Sequence, residues 1–260
     1  MNSKDTLENE SIKDKIRQIF IKNVKNRKPD ITGKNIDHAG KFGHWAESAM
    51  GIKANNRNKP DLLGFELKNN TTSKTSFGDW SSNESIFKKK SKMFLIDRER
   101  CLEIFGKPNL EKEGRYSWSG EPFPKVGKIN KFGQWMEIDS NNNVLAKYSF
   151  SKDQRANKNT IVPKNFQKED FVLAIWYGDK LKQKLERKFN QRGWFTLIQN
   201  DEGYYTEIAF GHPITFDKWI SWVKKGDVFL DSGMHQINKR PYAIWRANNS
   251  FMEELLTQPD

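Results

Sequence analysis

The chain has 260 residues, with 45 Lys and Arg against 33 Asp and Glu, a formal net charge of +12 and a pI of about 9.5. This surplus of positive charge favours a polyanionic partner, although a Lys- and Asn-rich proteome gives the same balance. The single cysteine, Cys101, excludes an intramolecular disulfide, the four histidines lack a zinc-type spacing, and no apolar run suits a membrane span or a signal peptide. We therefore expect one large domain or two small ones in a soluble, cytoplasmic protein with no membrane segment.

The N-terminal part of the sequence predicts two helices followed by a strand. Apolar residues recur at helical spacing between residues 9 and 24, which predicts an amphipathic helix. Residues 43–50 predict a second, short helix that ends at Gly51. After a loop rich in Asn and Lys, residues 60–68 (Pro-Asp-Leu-Leu-Gly-Phe-Glu-Leu-Lys) predict a strand in which charged residues enter an apolar run.

The rest of the chain predicts strands mixed with helices. Residues 69–92 are rich in Ser, Thr, Asn and Lys and are expected on the surface, and residues 105–142 show little pattern. The run 171–177 is apolar on both faces, which predicts a central strand. Strands are predicted at 143–151, 170–177, 194–199, 204–210, 228–230 and 242–245, and helices at 180–189, from Pro213 and Thr215 through Val223, and from about residue 250. This order predicts a mixed α/β chain without internal repeats.

Asp61, Glu66 and Lys68 have the clearest chemical meaning. Alternate side chains of an extended strand share a face, so Glu66 and Lys68 project together while Leu67 points the other way. If the chain bends near Gly64, Asp61 can join them. Two carboxylates then offer hard oxygen ligands to a divalent cation beside an ammonium group, and such a group can cleave a phosphodiester bond. A structural ion pair on an exposed strand edge is the alternative.

Glu47 is a second candidate, on the predicted helix just upstream of this strand. A helical carboxylate that points at the strand would help to hold a metal ion, or would position a lysine or a water molecule. The alternative is a solvated helix glutamate, which is the commoner fate of a single Glu.

Two separated blocks of sequence carry a resemblance to a known family. The first block comprises Gly43-His44-Trp45-Ala46-Glu47, Gly51-Ile52, Asn55 and the motif at 60–68, and the second comprises Asp231-Ser232-Gly233-Met234-His235, Arg240-Pro241-Tyr242 and Trp245-Arg246-Ala247. In this order they resemble the MvaI/BcnI family of type II restriction endonucleases, which is related to the mismatch-repair nickase MutH and belongs to the PD-(D/E)xK nuclease superfamily. The resemblance lies at both ends of residues 43–255, and residues 70–165 match only loosely.

The resemblance implies a fold. It implies an α/β, MutH-like, PD-(D/E)xK restriction-endonuclease-like fold, with a central mixed sheet flanked by helices, in a single nuclease domain that spans residues 1–260. Two lobes around a DNA cleft would fit this fold. The catalytic lobe would be centred on residues 40–110 and 140–180, and the DNA-recognition lobe on residues 190–260.

The resemblance also implies a mechanism. Asp61 and Glu66, with the backbone carbonyl of Leu67, would bind Mg²⁺ beside the scissile phosphate. Lys68 would orient or deprotonate the attacking water, and Glu47 would support Lys68 or a second metal ion. Family members act as monomers that cut the two strands in separate events, and the product would carry a 5′-phosphate and a 3′-hydroxyl.

The C-terminal block contains side chains suited to base edges in the major groove. Arginine pairs with guanine O6 and N7, a carboxylate accepts from cytosine N4, and histidine can donate to guanine acceptors, which suits a G·C-containing site. The residues expected to contact DNA are Asp231, Met234, His235, Arg240, Tyr242 and Arg246. Met234 and Tyr242 would pack or wedge against bases. The alternative is a local salt bridge between Asp231 and Arg240, with Tyr242 and Trp245 in the core, and for Trp245 we expect the core.

A basic patch and several tryptophans are weaker candidates for DNA contact. Lysines at positions 88–90 and 92, together with Lys74 and Arg98, could contact phosphates, and we place Lys88 and Lys89 among the DNA-binding residues. A charge run is more often a solvated face. The tryptophans in polar surroundings are Trp80, Trp118 and Trp135, which could stack on bases or anchor loops in the interior.

Together these features predict a Mg²⁺-dependent, site-specific endonuclease that hydrolyses double-stranded DNA, with a cognate DNA methyltransferase as its genetic partner. Three alternatives stay open: a MutH-like strand-nicking enzyme, a DNA-binding module with a degenerate nuclease fold, and an RNA-binding protein. Intact Asp61, Glu66 and Lys68 argue against the second alternative. The lack of an RNP-type aromatic strand motif argues against the third.

Overall fold

A computed structural model describes residues 3–30, 32, 41–53, 58–68 and 73–256. Within these residues the helices are α1 (Ser3–Asn23), α2 (Lys41–Ala49), α3 (Arg98–Phe105), α4 (Lys158–Ile161), α5 (Gly178–Phe189), α6 (Phe216–Lys225) and α7 (Asn249–Glu253). The strands are β1 (Phe65–Leu67), β2 (Lys74–Asp79), β3 (Glu84–Ser85), β4 (Lys107–Asn109), β5 (Arg115–Trp118), β6 (Phe132–Ile138), β7 (Val144–Asp153), β8 (Phe171–Trp176), β9 (Gly193–Gln199), β10 (Tyr205–Gly211), β11 (Val228–Ser232), β12 (Met234–His235) and β13 (Ala243–Asn248). Among these helices, none has the length and apolar character that a bilayer crossing requires.

The strands are divided among several short sheets. β1 runs parallel to β9, and β10 runs antiparallel to β9, so the sheet that contains the motif strand is mixed. A four-stranded antiparallel sheet has the order β3-β8-β7-β6, which confirms that residues 171–176 form a central strand. The remaining strands form the sheets β11-β13-β2 and β12-β5-β4. The predicted mixed α/β class is confirmed.

The chain divides into two compact units, each built from separate stretches of sequence. Unit 1 comprises Met1–Thr75, Lys184–Phe216 and Ala247–Asp260. Unit 2 comprises Ser76–Gln183 and Asp217–Arg246. The motif strand β1 belongs to unit 1, and the second block of the resemblance lies almost wholly in unit 2.

The core of unit 1 supports one face of the motif strand. Ile16 and Phe20 of α1, and Met50 directly after α2, are buried together with Phe65 and Leu67 of β1. Burial of each large apolar side chain stabilises the fold by roughly 1.5–3 kcal/mol. Because alternate residues of a strand point to opposite faces, this packing of the two apolar residues fixes Glu66 on the other face of β1.

The core of unit 2 contains a cluster of aromatic rings. The ring of Trp219 lies 5.0 Å from that of Trp245, 5.9 Å from that of Trp80 and 6.2 Å from that of Phe77, measured between centroids. Edge-to-face contacts at such distances add to the stabilisation from burial. Trp245 is fully buried, which confirms its predicted place in the core.

The prediction that residues 69–92 lie on the surface is wrong for much of the described part, residues 73–92. Phe77, Trp80 and Ile86 are buried, and the segment contains β2 and β3. Thr75 and Phe77 face inward at alternate positions of β2. The small polar residues between and around them hid this alternation in the sequence.

Residues 98–142, which include the poorly patterned region 105–142, contain regular structure that sequence reasoning missed. The side chain of Asp97 accepts a hydrogen bond of 2.8 Å from the backbone N–H of Arg100, which caps the N-terminus of α3. Cys101 lies buried on this helix, and burial raises the pKa of its thiol. Trp118 and Trp135 lie in β5 and β6 and are almost fully buried, so they pack in the interior.

Candidate active site

A tight turn brings Asp61 next to Glu66. Residues 62–65 form a two-residue hairpin turn, whose end residues are joined by two backbone hydrogen bonds of 2.9 and 2.8 Å. Leu63 and Gly64 have φ angles of 50° and 90°, as in a type I′ turn. A left-handed conformation at both positions favours glycine, which explains Gly64 and leaves Leu63 in a strained conformation. The expected bend of the chain near Gly64 is confirmed.

The carboxylate of Asp61 lies against the backbone of β1. Its Oδ2 accepts a hydrogen bond of 3.0 Å from the backbone N–H of Leu67. Burial and the negative charge of Glu66 raise the pKa of Asp61 to about 6, while Lys68, the Leu67 N–H and Lys188 act in the opposite direction. Asp61 thus lies in a setting of low solvent access beside a second carboxyl group.

Two lysines converge on one oxygen of Glu66. Oε1 of this buried carboxylate accepts a hydrogen bond of 2.6 Å from Nζ of Lys68 and lies 2.9 Å from Nζ of Lys188. The other oxygen, Oε2, is buried and accepts no hydrogen bond from the residues that the structure describes. Burial and the nearby charge of Lys68 lower the pKa of Lys188, and Glu66 opposes this shift. Glu66 therefore has one fully engaged oxygen and one that lacks a partner.

Lys188 is a site residue that sequence reasoning missed. It lies on α5, which was predicted as a charged helix, and it follows the buried residues Leu181 and Leu185 at helical spacing. A lysine on the apolar stripe of an amphipathic helix must either extend to solvent or find a buried partner. That position within the stripe was the signal that could have identified it.

Thr196 adds another polar group to the same face of the sheet. Glu66 pairs with Trp194 in the parallel register of β1 and β9, so Thr196, two residues further, points to the same side as Glu66. The hydroxyl of Thr196 is buried and has no hydrogen-bond partner in the described part of the chain. The site therefore contains a second buried polar atom that a bound water or substrate could satisfy.

The candidate ligands fit a divalent cation. A buried carboxylate oxygen without a donor costs about 1–3 kcal/mol or more, and a cation at Oε2 of Glu66 would remove this cost. Oxygen ligands are those that Mg²⁺ prefers. Within the described residues no group of three or more His, Cys, Asp or Glu side chains is arranged to hold a metal ion. The candidate donors are therefore Asp61, Glu66 and the backbone carbonyl of Leu67.

Glu47 lies on α2, with its side chain half-buried. Among the described residues, no hydrogen bond or ion pair joins it to Asp61, Glu66 or Lys68, and these carboxylates do not form a three-membered metal cluster. The structure thus brings together Asp61, Glu66 and Lys68, and the role of Glu47 stays a prediction.

Residues 24–258 match the family model described as LlaMI restriction endonuclease. The chain belongs to the LlaMI restriction endonuclease family. It is 48% identical over 263 residues to the Type II restriction enzyme ScrFI of Lactococcus lactis subsp. cremoris, an alignment that covers 94% of this chain and 97% of that protein. The LlaMI-family chain is a type II restriction endonuclease, a deoxyribonuclease that cleaves DNA at specific sites.

The structural comparison agrees with this membership. The LlaMI-family fold is similar to that of the restriction endonuclease MvaI in a complex with its cognate DNA substrate, with a TM-score of 0.54 at 14% sequence identity. The match covers 99% of this chain and 98% of that chain. At this identity the similarity shows the fold alone, which is of the PD-(D/E)xK type. The resemblance, the fold class and the enzyme class predicted from the sequence are confirmed.

The predicted DNA-contacting residues of the LlaMI-family chain lie in unit 2 and differ in exposure. Asp231 of β11 forms an ion pair of 2.9 Å with Nε of Arg246 on β13, so its salt-bridge partner is Arg246 and the alternative pairing with Arg240 is wrong. Met234 is buried, whereas Arg240 and Tyr242 are exposed. His235 is half-buried on β12, beside an arginine of β5.

The two lysines of the basic patch that are expected to contact DNA differ in their local contacts. Nζ of Lys88 donates hydrogen bonds of 3.1 and 3.2 Å to the backbone carbonyls of Ser82 and Asn83. Lys89 is exposed. Contact of either lysine with DNA stays a prediction.

Proposed function

We propose that this restriction endonuclease hydrolyses both strands of double-stranded DNA at a short G·C-containing site, with Mg²⁺ as its cofactor and with 5′-phosphate ends as its products. One observation carries the catalytic part of the proposal: Glu66 directs one oxygen to two lysines and keeps a buried, unpartnered oxygen on the same face, beside Asp61. A structural ion pair alone would not require a second carboxylate and a second lysine in a buried position.

The ligand set supports Mg²⁺ rather than a softer metal. Asp61, Glu66 and the Leu67 carbonyl would hold the ion through oxygen atoms alone. When bound, the ion supplies Lewis-acid polarisation of the scissile phosphate and stabilises the negative charge that develops there.

The lysines have separate tasks in the proposed hydrolysis. The oxygen of a water molecule attacks phosphorus, the bond from phosphorus to O3′ breaks, and the products are a 5′-phosphate and a 3′-hydroxyl. Lys68, whose ammonium group donates to Glu66, would orient the water. The water releases its proton to solvent, and the departing O3′ takes a proton from solvent. Lys188, held by the same oxygen, would donate to a phosphate oxygen and offset the growing charge.

Recognition of DNA is assigned to side chains of unit 2. Arg240 and Tyr242 are exposed, and the guanidinium of Arg240 suits the O6 and N7 acceptors of guanine. Met234 is buried and would act by packing beneath the residues that contact bases. Asp231 and Arg246 are joined as an ion pair, so they would contact DNA as a coupled unit.

A monomer that cuts the strands in two events fits this site. Asp61, Glu66, Lys68 and Lys188 all come from unit 1 of one chain, so one chain supplies one set of catalytic groups. We assign a cytoplasmic location and a cognate DNA methyltransferase as genetic partner, because an enzyme that cuts specific sites requires that the host sites be protected.

The proposal is tested by digestion of unmethylated plasmid and phage DNA with the wild-type enzyme and with Lys68→Ala, in Mg²⁺ and in EDTA. We expect discrete fragments with mappable 5′-phosphate ends from the wild-type enzyme in Mg²⁺ only. Nicked circles as the sole product would show that the enzyme nicks one strand, which would overturn the proposal of double-strand cleavage. No cleavage by folded wild-type protein, on DNA with many candidate sites, would overturn it.

A further inference from the structure

A cluster of basic side chains in unit 2 forms no ion pair with any acidic residue that the structure describes. We call it the cationic cluster and define it as Arg98, Arg115 and His235. Nη1 of Arg115 lies 3.4 Å from each ring nitrogen of His235, and Nη2 of Arg98 lies 3.5 Å from the backbone carbonyl of Gln236. Within the described residues none of the three takes part in a salt bridge with a carboxylate. The cluster therefore keeps an uncompensated positive charge.

Arg115 has one buried donor that no described residue satisfies. Its Nε is buried and has no hydrogen-bond partner within the described part of the chain. A buried donor left in this state costs about 1–3 kcal/mol, and more when the group is charged. A side chain with this cost, in an enzyme that binds DNA, indicates a partner that brings acceptor atoms.

Strand pairing and side-chain hydrogen bonds hold together the two backbone segments that carry Arg115 and His235. β5 and β12 pair antiparallel with His235 opposite Ser117, so Arg115, two residues from Ser117, lies diagonally across from His235 on the same face. The side chain of Gln236, directly after β12, also binds β5, because its Oε1 accepts a hydrogen bond of 2.7 Å from the N–H of Tyr116. Oδ1 of Asn238 accepts a hydrogen bond of 3.0 Å from the N–H of His235. A donor fixed in this way loses little conformational freedom when it binds.

From this arrangement we infer that Arg115 is a specificity-determining residue, which donates to the O6 and N7 acceptors of a guanine in the recognition site, next to His235. The inference deepens the proposed function and rests on it. Arg115 lies far in sequence from the C-terminal block in which the predicted DNA-contacting residues occur.

Two features favour a base edge over a phosphate as the partner of Arg115. The half-buried, tethered setting contrasts with the exposed, flexible lysines that commonly contact phosphates. In addition, burial and the charges of Arg115 and Arg98 lower the pKa of His235, which favours the neutral form of its ring. A neutral ring offers one donor and one acceptor, which suits a base edge better than a phosphate.

The test combines variants of the protein with variants of the DNA. The recognition site is first mapped by digestion with the wild-type enzyme. Duplexes with that site are then made with 7-deazaguanine, which lacks N7, at one guanine at a time, and their binding is measured by fluorescence anisotropy in EDTA. Arg115→Ala is compared with Arg115→Lys and with Arg100→Ala, which removes an exposed arginine of the same unit that pairs with Glu103.

We expect one guanine at which 7-deazaguanine weakens binding of the wild-type enzyme and of Arg100→Ala but not of Arg115→Ala. We expect Arg115→Ala itself to weaken specific binding by about 5- to 150-fold. Arg115→Lys keeps the charge but not the two-pronged donor, so it should recover little of this loss.

Each other result overturns the inference. If 7-deazaguanine weakens binding of Arg115→Ala as much as binding of the wild-type enzyme at every guanine, Arg115 does not contact N7. Equal weakening on specific and non-specific DNA, with a smaller dependence on salt, would make Arg115 a phosphate contact. If the wild-type enzyme cuts no DNA, the proposed function itself is overturned. If the wild-type enzyme cuts a specific site and Arg115→Ala binds that site as tightly as the wild-type enzyme does, this inference alone is overturned.

Discussion

The candidate active-site cluster of unit 1 (Asp61, Glu66, Lys68 and Lys188) combines acidic and basic groups, whereas the cationic cluster of unit 2 contains basic groups alone. In unit 1, two carboxylates and two ammonium groups stand together, and Lys68 and Lys188 both engage Oε1 of Glu66. In unit 2, Arg98, Arg115 and His235 stand together with no carboxylate joined to them in the described chain. The first cluster lacks one partner for an anionic oxygen, and the second lacks acceptors for cationic donors.

This difference indicates what each region is prepared to bind. A carboxylate pair with an unpartnered oxygen is suited to a cation, whereas unpaired guanidinium donors are suited to electron-rich atoms of a ligand. Each cluster is incomplete in the protein alone, and the missing atoms have opposite charge. The predictions below separate chemistry in the first region from recognition in the second.

The largest effect is expected for Asp61→Ala. Because Asp61 is a candidate metal ligand beside Glu66, cleavage should fall by roughly 10³-fold or more, while DNA binding stays nearly intact. Single-turnover cleavage in Mg²⁺ and anisotropy binding in EDTA measure the two properties. Equal loss of cleavage and binding would instead give Asp61 a structural role.

Lys188→Met should reduce the cleavage rate by about 10²-fold with little change in DNA affinity, since it removes one donor to the reacting phosphate. Methionine keeps the apolar stem along the buried stripe of α5. Lys182→Met, at an exposed position of the same helix, is the matched control and should behave as wild type. Similar rates for the two variants would remove Lys188 from the mechanism.

Arg240→Ala should weaken binding to the cognate site by about 1–3 kcal/mol while it changes non-specific binding much less. The exposed side chain of Arg240 makes a loss of folding stability a poor explanation. Binding is compared on the mapped site and on a scrambled duplex of equal length. If binding to both duplexes is weakened equally, Arg240 contacts a phosphate and not a base.

The smallest effect concerns stability without metal. Because the pKa of Asp61 is raised from 3.8 to about 6, the folded protein holds a proton between these values that the unfolded chain has released. Stability is therefore lost as the pH rises through this window, and the loss is complete above it. Asp61→Asn should raise the free energy of unfolding at pH 8 in EDTA by about 1–2 kcal/mol, and should have no such effect near pH 4.

Urea denaturation at the two pH values measures this gain. Asp201→Asn, in an exposed turn, is the control and should change the free energy of unfolding little at either pH. A destabilised Asp61→Asn at pH 8 would show that the hydrogen bond to Leu67 outweighs the cost of burying the charge.

Patterns of neighbouring residues in the sequence were enough to predict much of the fold and part of the site. The spacing of Ile16, Phe20 and Val24 was enough to identify α1, and the alternation in Phe65-Glu66-Leu67 was enough to place Glu66 opposite the core. Asp61 required only a bend at Gly64. These features depend on neighbours within a few residues, which a single sequence displays.

Features that depend on distant partners were not predictable in the same way. Lys188 reaches Glu66 only because β1 pairs in parallel with β9, next to α5 in the sequence. Arg115 meets His235 through the pairing of β5 with β12, and β5 lies in a region without clear pattern. Asp231 pairs with Arg246 rather than Arg240 for the same reason, since adjacent strands bring the first two together.

The order in which the chain is synthesised gives the hairpin at residues 62–65 a further consequence. It places Asp61 near Glu66 before most of the chain exists, but the partner strand β9 and Lys188 follow only after the long segment Ser76–Gln183 of unit 2. Pairing across so long an interval is slow, because the chain must close a large loop. A nascent chain therefore holds the two carboxylates without their supporting lysine and sheet. The complete set of candidate catalytic groups therefore exists only after this long segment has been synthesised.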